Sequence, residues 1–249
     1  MDNFNVYKDI QARTKGEIYI GVVGPVRTGK STFIKRFMEL AVLPAMEDES
    51  LKAVSTDELP QSAGGKTVMT TEPKFIPKEA VQITLGDGIQ AKVRLIDCVG
   101  YMVDGAAGHV ENGEERMVKT PWSEKEIPFT QAAQIGTRKV IGDHSTIGIV
   151  VTTDGSVGEL KRSAYIDAEK QTVDELKKLG KPFILLLNST KPYSDETLKL
   201  AEQLAADYGV TVLPVSCEQL KKEDIFHILE SVLKEFPVTQ LDFHIPKWL

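Results

Sequence analysis

The sequence predicts an α/β domain built on a mostly parallel sheet, with helices on both faces and one antiparallel hairpin strand. Three observations lead to this prediction. Apolar runs alternate with helical segments, two short runs flank a glycine-containing turn, and a glycine-rich loop joins the first apolar run to a helix. The glycine-rich loop has the GxxxxGKS pattern of P-loop nucleoside triphosphatases, and the central hairpin is typical of their GTPase-like (TRAFAC-type) topology.

The predicted elements follow one another along the whole chain. The first strand, at 18–23, leads into a helix at 30–43 whose apolar residues lie on one face. Alternating residues at 81–85 and 91–96 predict a hairpin around Gly86-Asp87-Gly88. The remaining predicted strands are at 147–151, 183–187 and 210–214, and the remaining predicted helices are at 161–179, 195–208 and 220–236.

The domain organisation predicted from these elements is one P-loop domain at 17–236. It is preceded by an extension at 1–16 and followed by a linker at 237–249 that leads to further C-terminal domains. Two stretches exceed a minimal P-loop domain. The polar segment 45–71 is predicted to be a loop, and the glycine-containing segment 101–145 is an insertion that is partly helical around 130–141.

Composition excludes several classes of function. The 249 residues are 41% hydrophobic, enough for one large core, and carry a formal net charge of −6 without a basic stripe, which argues against nucleic-acid binding. Two cysteines, Cys98 and Cys217, are too few for a disulfide framework and fit a reducing cytoplasm. No apolar run has the length that a membrane span needs, and the polar start is no signal peptide.

The glycine-rich loop predicts a triphosphate site. Its glycines let the backbone curl so that successive N–H groups and the helix N-terminus face an anion. Lys30 can reach the β- and γ-phosphates, and the hydroxyl of Ser31 can bind Mg²⁺. The predicted cofactor-binding residues of the loop are Gly24, Pro25, Val26, Arg27, Thr28, Gly29, Lys30 and Ser31.

A second motif, DxxG, follows the predicted strand that ends at Ile96. Asp97, at the carboxyl end of that strand, can hold Mg²⁺, and the N–H of Gly100 can approach the γ-phosphate.

A third candidate is the pair Thr70-Thr71 between the first helix and the hairpin. A threonine there would bind Mg²⁺ and sense the γ-phosphate, and spacing alone does not separate Thr70 from Thr71.

The base-reading motif departs from that of GTPases. Asn188 ends a leucine-rich strand where such proteins carry Asn-Lys-x-Asp, but Lys191 occupies the position of the aspartate. Guanine would leave its N1–H and amine unpaired there, at about 1–3 kcal/mol for each buried donor. The sequence therefore favours ATP over GTP, with Asn188 as a cofactor-binding residue.

The group that orients the attacking water is not evident from the sequence. Tyr101 follows Gly100 where many small GTPases have glutamine. Arg138 and Lys139 in the insertion are candidate charge donors to the transition state, and their alternative role is simple surface solvation. Catalysis is thus assigned to Lys30, Asp97 and the two threonines, with Ser31, Thr71 and Asp97 as Mg²⁺ ligands.

Several segments together carry a family resemblance: GPVRTGKSTFIKRF, GKTVMTTEPKFIP, RLIDCVGY, IPFTQAAQIGTRKVIGDHSTIGIVVTTDGS and LLLNSTKP. Over nearly the whole chain they resemble the stage IV sporulation protein A family of endospore-forming bacteria. The resemblance implies an ATPase of GTPase-like descent that self-assembles around the forespore, in the mother-cell cytoplasm and peripheral to the outer forespore membrane. It also implies recruitment by a small amphipathic membrane-bound protein and partnership with coat proteins. The family's P-loop lysine corresponds to Lys30, its second-motif aspartate to Asp97 and its sensing threonines to Thr70 and Thr71.

Three functional hypotheses follow. The first is a structural ATPase whose hydrolysis drives assembly into the base layer of the spore coat. The second is a GTP-binding signalling switch, which the missing Asn-Lys-x-Asp disfavours. The third is a small-molecule kinase. The sequence shows no obvious acceptor pocket or lid arginines for it, and the central hairpin also disfavours it.

Overall fold

The computed structural model describes residues 16–60, 73–84, 90–106, 110–111, 114–121 and 123–236. Their centre is a six-stranded sheet with the strand order β10-β9-β8-β1-β3-β2. Its strands are β1 (Glu17–Val23), β2 (Lys74–Thr84), β3 (Gln90–Asp97), β8 (Ile147–Thr153), β9 (Phe183–Asn188) and β10 (Val212–Val215). Every neighbouring pair is parallel except β2 and β3, which confirms the predicted mostly parallel sheet with one antiparallel hairpin strand.

The register of the sheet brings the strand ends that carry predicted site residues to one edge of the sheet. On either side of β1, Val22 pairs with Asp97 of β3 and with Ile149 of β8. On β8, Thr153 in turn pairs with Asn188 of β9. Because parallel strands all end at the same edge, the loops that follow β1, β3, β8 and β9 meet there.

The described residues also form six α-helices. They are α1 (Lys30–Phe37), α2 (Glu49–Asp57), α3 (Phe129–Lys139), α4 (Ile166–Lys178), α5 (Asp195–Tyr208) and α6 (Lys222–Lys234). Phe33 and Phe37 of α1 pack with Ile228 and Val232 of α6 in the main core cluster, on one face of the sheet. Helices α4 and α5 contribute to a second cluster that includes Leu176. Both faces of the sheet are therefore covered, as the continuous apolar strands predict.

The predicted helix at 30–43 changes its geometry part-way. Regular α-helix ends at Phe37, a π-helical turn covers Met38–Val42 and a 3-10 turn covers Leu43–Ala45. Met38 and Val42 are fully buried, so the apolar positions of the predicted helix do correspond to buried residues. The prediction of helical backbone is confirmed, but the prediction of one regular helix is wrong.

The prediction of a loop over 45–71 is wrong in its first half. Helix α2 begins after Asp48, whose carboxylate accepts the N–H groups of Ser50 and Leu51 at 2.8 and 3.1 Å. Leu51 is 56% exposed and Val54 is 50% exposed, so the helix presents no apolar stripe to a core. A helix of this kind depends on its N-cap, and hydrophobic periodicity does not reveal it.

The described residues of segment 101–145, the predicted insertion, include two short antiparallel strand pairs and a helix. Strand β4 (Val110–Glu111) pairs with β5 (Glu114–Glu115), and β6 (Met117–Thr120) pairs with β7 (Ser123–Pro128). The predicted helix around 130–141 is confirmed as α3, which continues into a π-helical turn, Val140–His144. Val140 and Ile141 are buried in the second core cluster, so this end of the insertion is part of the domain core.

Candidate functional site

The loop between β1 and α1 adopts the backbone that its glycines predict. Gly24, Arg27 and Gly29 have φ angles of 133°, 63° and 97°. A Cβ on Gly24 would lie 2.3 Å from the carbonyl oxygen of Val151, so only glycine fits this close approach to β8. The loop therefore curls at the N-terminus of α1, where free N–H groups and the helix dipole favour an anion.

Lys30 folds back over this loop. Its Nζ donates hydrogen bonds to the carbonyl oxygens of Pro25 at 2.6 Å and Gly24 at 3.3 Å. Burial lowers the pKa of the Lys30 amine, while Cys98 and Asp97 act in the opposite direction. The cation is thus held inside the curl of the loop, at the place where phosphates bind in P-loop proteins.

Asp97, the last residue of β3, lies beside the same loop. Burial raises the pKa of its carboxyl group to about 6, and the attraction of Lys30 only partly counteracts this rise. Its Oδ1 is buried and has no hydrogen-bond partner among the described residues. A buried carboxylate oxygen without a partner is unusual, and oxygen is the ligand that Mg²⁺ prefers, so Asp97 fits a metal-binding role.

The turn after Asp97 is packed directly against the phosphate loop. Gly100 has a φ angle of 90°, and a Cβ at this position would lie 2.0 Å from the Gly24 carbonyl oxygen and 2.7 Å from Lys30 Nζ. The N–H of Val26 also donates to the carbonyl oxygen of Tyr101 at 2.9 Å. The DxxG turn and the P-loop are therefore in direct backbone contact.

The loop after β9 is tied to the phosphate loop through Asn188. Its Nδ2 donates to the carbonyl oxygen of Thr28 at 2.9 Å, and its Oδ1 accepts the N–H of Cys217 at 2.9 Å. All three residues are buried. One amide therefore joins the loops that follow β1, β9 and β10, which together form the nucleotide edge of the sheet.

Comparison with known proteins agrees with this geometry. The sequence model described as "Stage IV sporulation protein A, ATPase domain" matches residues 1–237. The chain belongs to the stage IV sporulation protein A family. It is 51% identical over 249 residues to stage IV sporulation protein A of Bacillus subtilis (strain 168) and 52% identical over 247 residues to that of Clostridioides difficile (strain 630).

These matches cover all or nearly all of the chain but only part of each relative. They comprise 100% and 99% of the chain, and 51% and 50% of the Bacillus and Clostridioides proteins. The chain therefore spans about half the length of the curated relatives that it matches, and the matched part is the family's ATPase domain. The prediction of a P-loop ATPase of this family is confirmed.

The structure brings most of the predicted site residues together. The P-loop residues, Asp97, Gly100 and Asn188 all lie at the one edge described above. Ser31 is half-buried in the first turn of α1. Thr70 and Thr71 lie outside the described residues, so their roles stay predictions, and so does the assignment of individual ligands to nucleotide and metal.

Tyr101, which stands where many small GTPases have glutamine, and the two candidate charge donors are all engaged in other contacts. The side chain of Tyr101 is buried in a small cluster with Val26 and Tyr165. Arg138 forms a two-pronged ion pair with Glu175, at 3.0 and 3.2 Å, and Lys139 lies 3.6 Å from Asp143. These contacts favour the surface role that was the alternative for Arg138 and Lys139.

Two groups of residues were missed by sequence reasoning. Asp154 and the hydroxyl groups around it brace the loop after β9. Glu169 of α4 is fully buried and binds Arg162 through both oxygens, at 2.6 and 2.7 Å. The sequence carried one signal of these contacts. Ser156, which donates to Asp154, follows it by two residues, the spacing of an Asx turn.

No helix among the described parts of the chain combines the length and the apolar character required to cross a membrane.

Proposed function

We propose that this chain hydrolyses ATP with Mg²⁺ and that, in the full-length protein, hydrolysis drives self-assembly into the base layer of the spore coat on the forespore surface. The observation that carries the ATP site is the meeting of three groups at one sheet edge: the buried Lys30 ammonium, the partnerless Asp97 oxygen and the Gly100 turn. The family's name, which refers to sporulation, supports the biological setting.

Each of these residues has a distinct role in the proposed reaction. Lys30 exchanges its two carbonyl contacts for phosphate oxygens, since hydrogen bonds between charged partners are stronger than those to neutral carbonyls. Ser31, Thr71 and Asp97 are the residues that would hold Mg²⁺, which supplies charge neutralisation at the β- and γ-phosphates. The N–H of Gly100 approaches the γ-phosphate, and Thr70 acts with Thr71 as its sensor.

The choice of ATP rests on the loop after β9. Lys191 is exposed and stands where a GTPase carries the carboxylate that pairs with guanine. The alternative is a GTP-binding switch, which needs such a carboxylate. Competition between ATP and GTP for hydrolysis by the purified chain separates the two, because a preference for GTP would overturn the proposal.

The coupling of hydrolysis to assembly is proposed to pass through the insertion at 101–145. This segment begins at Tyr101, whose carbonyl oxygen accepts the Val26 N–H of the P-loop. A shift of the Gly100 turn upon phosphate release therefore pulls on the start of the insertion. The rearranged insertion then presents a new surface to the next copy of the protein.

The cellular setting belongs to the same proposal. The protein acts in the mother-cell cytoplasm, peripheral to the outer forespore membrane, recruited by a small amphipathic membrane-bound protein and later joined by coat proteins. The net charge of −6 offers no attraction to nucleic acid. Segment 1–16 is proposed to be an extension, 17–236 the ATPase domain and 237–249 a linker to further domains.

The binding site is tested by replacing Lys30. Lys30→Ala removes a charge-assisted contact worth about 1.5–3 kcal/mol, so ATP affinity should fall by roughly ten- to a hundredfold. Calorimetry with ATP and Mg²⁺ measures the change. The matched control is Lys177→Ala, an exposed lysine on α4, which should bind as the unaltered chain does. Equal affinity of the two variants would show that the phosphate site is elsewhere.

The coupling is tested in the full-length protein. The double variant Thr70→Ala/Thr71→Ala should bind ATP, hydrolyse it more slowly and stay unassembled, because a sensor acts after the nucleotide has docked. Sedimentation with ATP, ADP and a non-hydrolysable analogue should show polymer only after hydrolysis. Equal pelleting in all three nucleotides would contradict the coupling while leaving the ATP site intact.

A further inference from the structure

A carboxylate lies next to the base-reading loop, although not at the position where GTPases place one. Asp154 directly follows β8, and its N–H lies 3.4 Å from the carbonyl oxygen of Asn188. Its Oδ1 accepts both the N–H and the hydroxyl of Ser156, at 2.8 and 2.6 Å. Its Oδ2 accepts the hydroxyl of Thr197 at 3.4 Å. These bonds lower the pKa of Asp154 against the opposing effect of its burial.

The groups held by Asp154 in turn hold the backbone of the base-reading loop. The Ser156 hydroxyl accepts the N–H of Thr190 at 2.9 Å. The Thr197 hydroxyl contacts that of Ser189 at 3.3 Å, and the Ser189 hydroxyl accepts the N–H of Lys191 at 3.0 Å. One carboxylate thus supports both N–H groups at the tip of the loop, through the Ser156 hydroxyl on one side and through the Thr197 and Ser189 hydroxyls in sequence on the other.

Two further N–H groups that border this edge are also occupied. The N–H of Ser189 donates to the Val215 carbonyl oxygen at 2.9 Å, and the N–H of Cys217 donates to Asn188 Oδ1. Three consecutive N–H groups after β9, at 189–191, and the N–H of Cys217 after β10 are therefore satisfied within the protein. None of these four N–H groups is left to donate to an oxygen of the base.

Purine bases differ in what they require at position 6. Adenine carries an amino group there, which needs an acceptor, whereas guanine and hypoxanthine carry an oxygen, which needs a donor. A 6-oxo group that faces the occupied N–H groups at 189–191 is left unpaired, and an unpaired buried polar group costs free energy. The hydrogen bonding within the loop thus favours adenine over guanine and hypoxanthine.

We propose that Asp154 is a positioning residue for base selection: through Ser156 and Thr197 it keeps the N–H groups of Thr190 and Lys191 occupied and so selects a 6-amino purine over a 6-oxo purine. The inference rests on the proposed ATP site. In this role Asp154 acts through Ser156 and Thr197, which its two oxygens bind. The absence of a guanine-pairing carboxylate is one determinant of base specificity. The network around Asp154 is a second determinant, and it acts at position 6 of the base.

The pair ATP and ITP tests this directly, since the two nucleotides differ only at position 6 and the adjoining ring nitrogen. Hydrolysis of each by the purified chain gives a ratio of kcat/KM values. Ser156→Ala frees the Thr190 N–H and should lower the ATP-to-ITP ratio about three- to tenfold, the equivalent of one hydrogen bond. Ser156→Thr keeps the hydroxyl and should restore most of the ratio. Asp154→Asn should act like Ser156→Ala, with the change in KM for ATP larger than that in kcat.

Controls separate this inference from the site on which it depends. Ser156 is exposed, so Ser156→Ala gives a folded protein even if Asp154→Asn does not. Asp207→Asn, an exposed carboxylate near the end of α5, should leave the ratio unchanged. If Lys30→Ala abolishes binding but Ser156→Ala leaves the ratio unaltered, the role of Asp154 is refuted and the ATP site stands. If Lys30→Ala binds ATP normally, the proposed site fails and this inference fails with it.

Discussion

The replacement of Asn188 by alanine tests the bonding that joins the three loops of the nucleotide edge. The change removes the acceptor of the Cys217 N–H and a donor to the Thr28 carbonyl, each at 2.9 Å. Both backbone partners are fully buried, so water does not replace the amide. The stranded N–H costs about 1–3 kcal/mol and the lost carbonyl bond about 1 kcal/mol, which gives about 2–4 kcal/mol in total.

This loss is a large part of the 5–15 kcal/mol that stabilises an ordinary domain. Urea unfolding followed by circular dichroism should therefore show a clearly lower midpoint for Asn188→Ala with an unchanged slope. ATP affinity should fall as well, because the amide lies against the P-loop: a Cβ on Gly29 would lie 2.3 Å from Asn188 Nδ2. Thr190→Ala, an exposed neighbour, is the control and should cost less than about 0.5 kcal/mol.

Two outcomes would refute this reasoning. A wild-type urea midpoint for Asn188→Ala would mean that the two hydrogen bonds contribute nothing to stability. A normal midpoint combined with lost ATP binding would instead show that Asn188 acts by direct contact with the nucleotide and not by joining the loops.

Three further predictions concern the centre of the site and its support. Asp97 has a pKa raised from 3.8 to about 6, so without nucleotide and metal the folded chain should lose about 2 kcal/mol of stability as the pH rises from 4 to 6, because the carboxyl ionises first in the unfolded chain. Asp97→Asn should abolish this loss in pH-dependent unfolding while lowering Mg²⁺-dependent hydrolysis; an unchanged pH profile would contradict the assignment. Gly100→Ala should reduce hydrolysis by more than about tenfold, because the new Cβ would lie 2.0 Å from the Gly24 carbonyl oxygen, and normal turnover would show that the turn has room. Arg162→Met leaves the carboxylate of Glu169 buried without its cation and should cost about 3–5 kcal/mol by urea unfolding, whereas Arg162→Met combined with Glu169→Met should recover much of it; equal losses would argue against the ion pair as the cause.

The sequence was sufficient to predict the sheet and its helices because their signals are local. Continuous apolar runs mark β8 and β9, and the predicted helix at 195–208 agrees with α5, which begins after the N-cap Ser194 and ends at Gly209 in the left-handed conformation. The P-loop and the DxxG turn were also predictable. Their chemistry depends on a few consecutive residues, and the register of β1 with β3 then brings Asp97 to Lys30.

The contacts that the sequence did not predict are those between loops that follow different strands. Asp154 and Thr197 lie far apart in the chain, and they meet only because β8 and β9 are neighbours in the sheet. Cys217 was considered only as one of two cysteines, yet its N–H donates to Asn188 Oδ1. Strand order depends on the whole fold. Contacts between loops that follow different strands therefore leave no periodic or spacing signal in the sequence.

The position of β1 in the sheet has a consequence for how the protein is made. The strand that carries the phosphate loop lies between β3 and β8, and Val22 needs both Asp97 and Ile149 to complete its backbone pairing. On the ribosome, one edge of the nascent β1 therefore stays open until β8, at 147–153, has emerged. Late closure of a parallel sheet is slow and exposes an edge to other chains. Until β8 arrives, the open edge of β1 is therefore a place where a newly made copy is exposed to strand pairing with another chain.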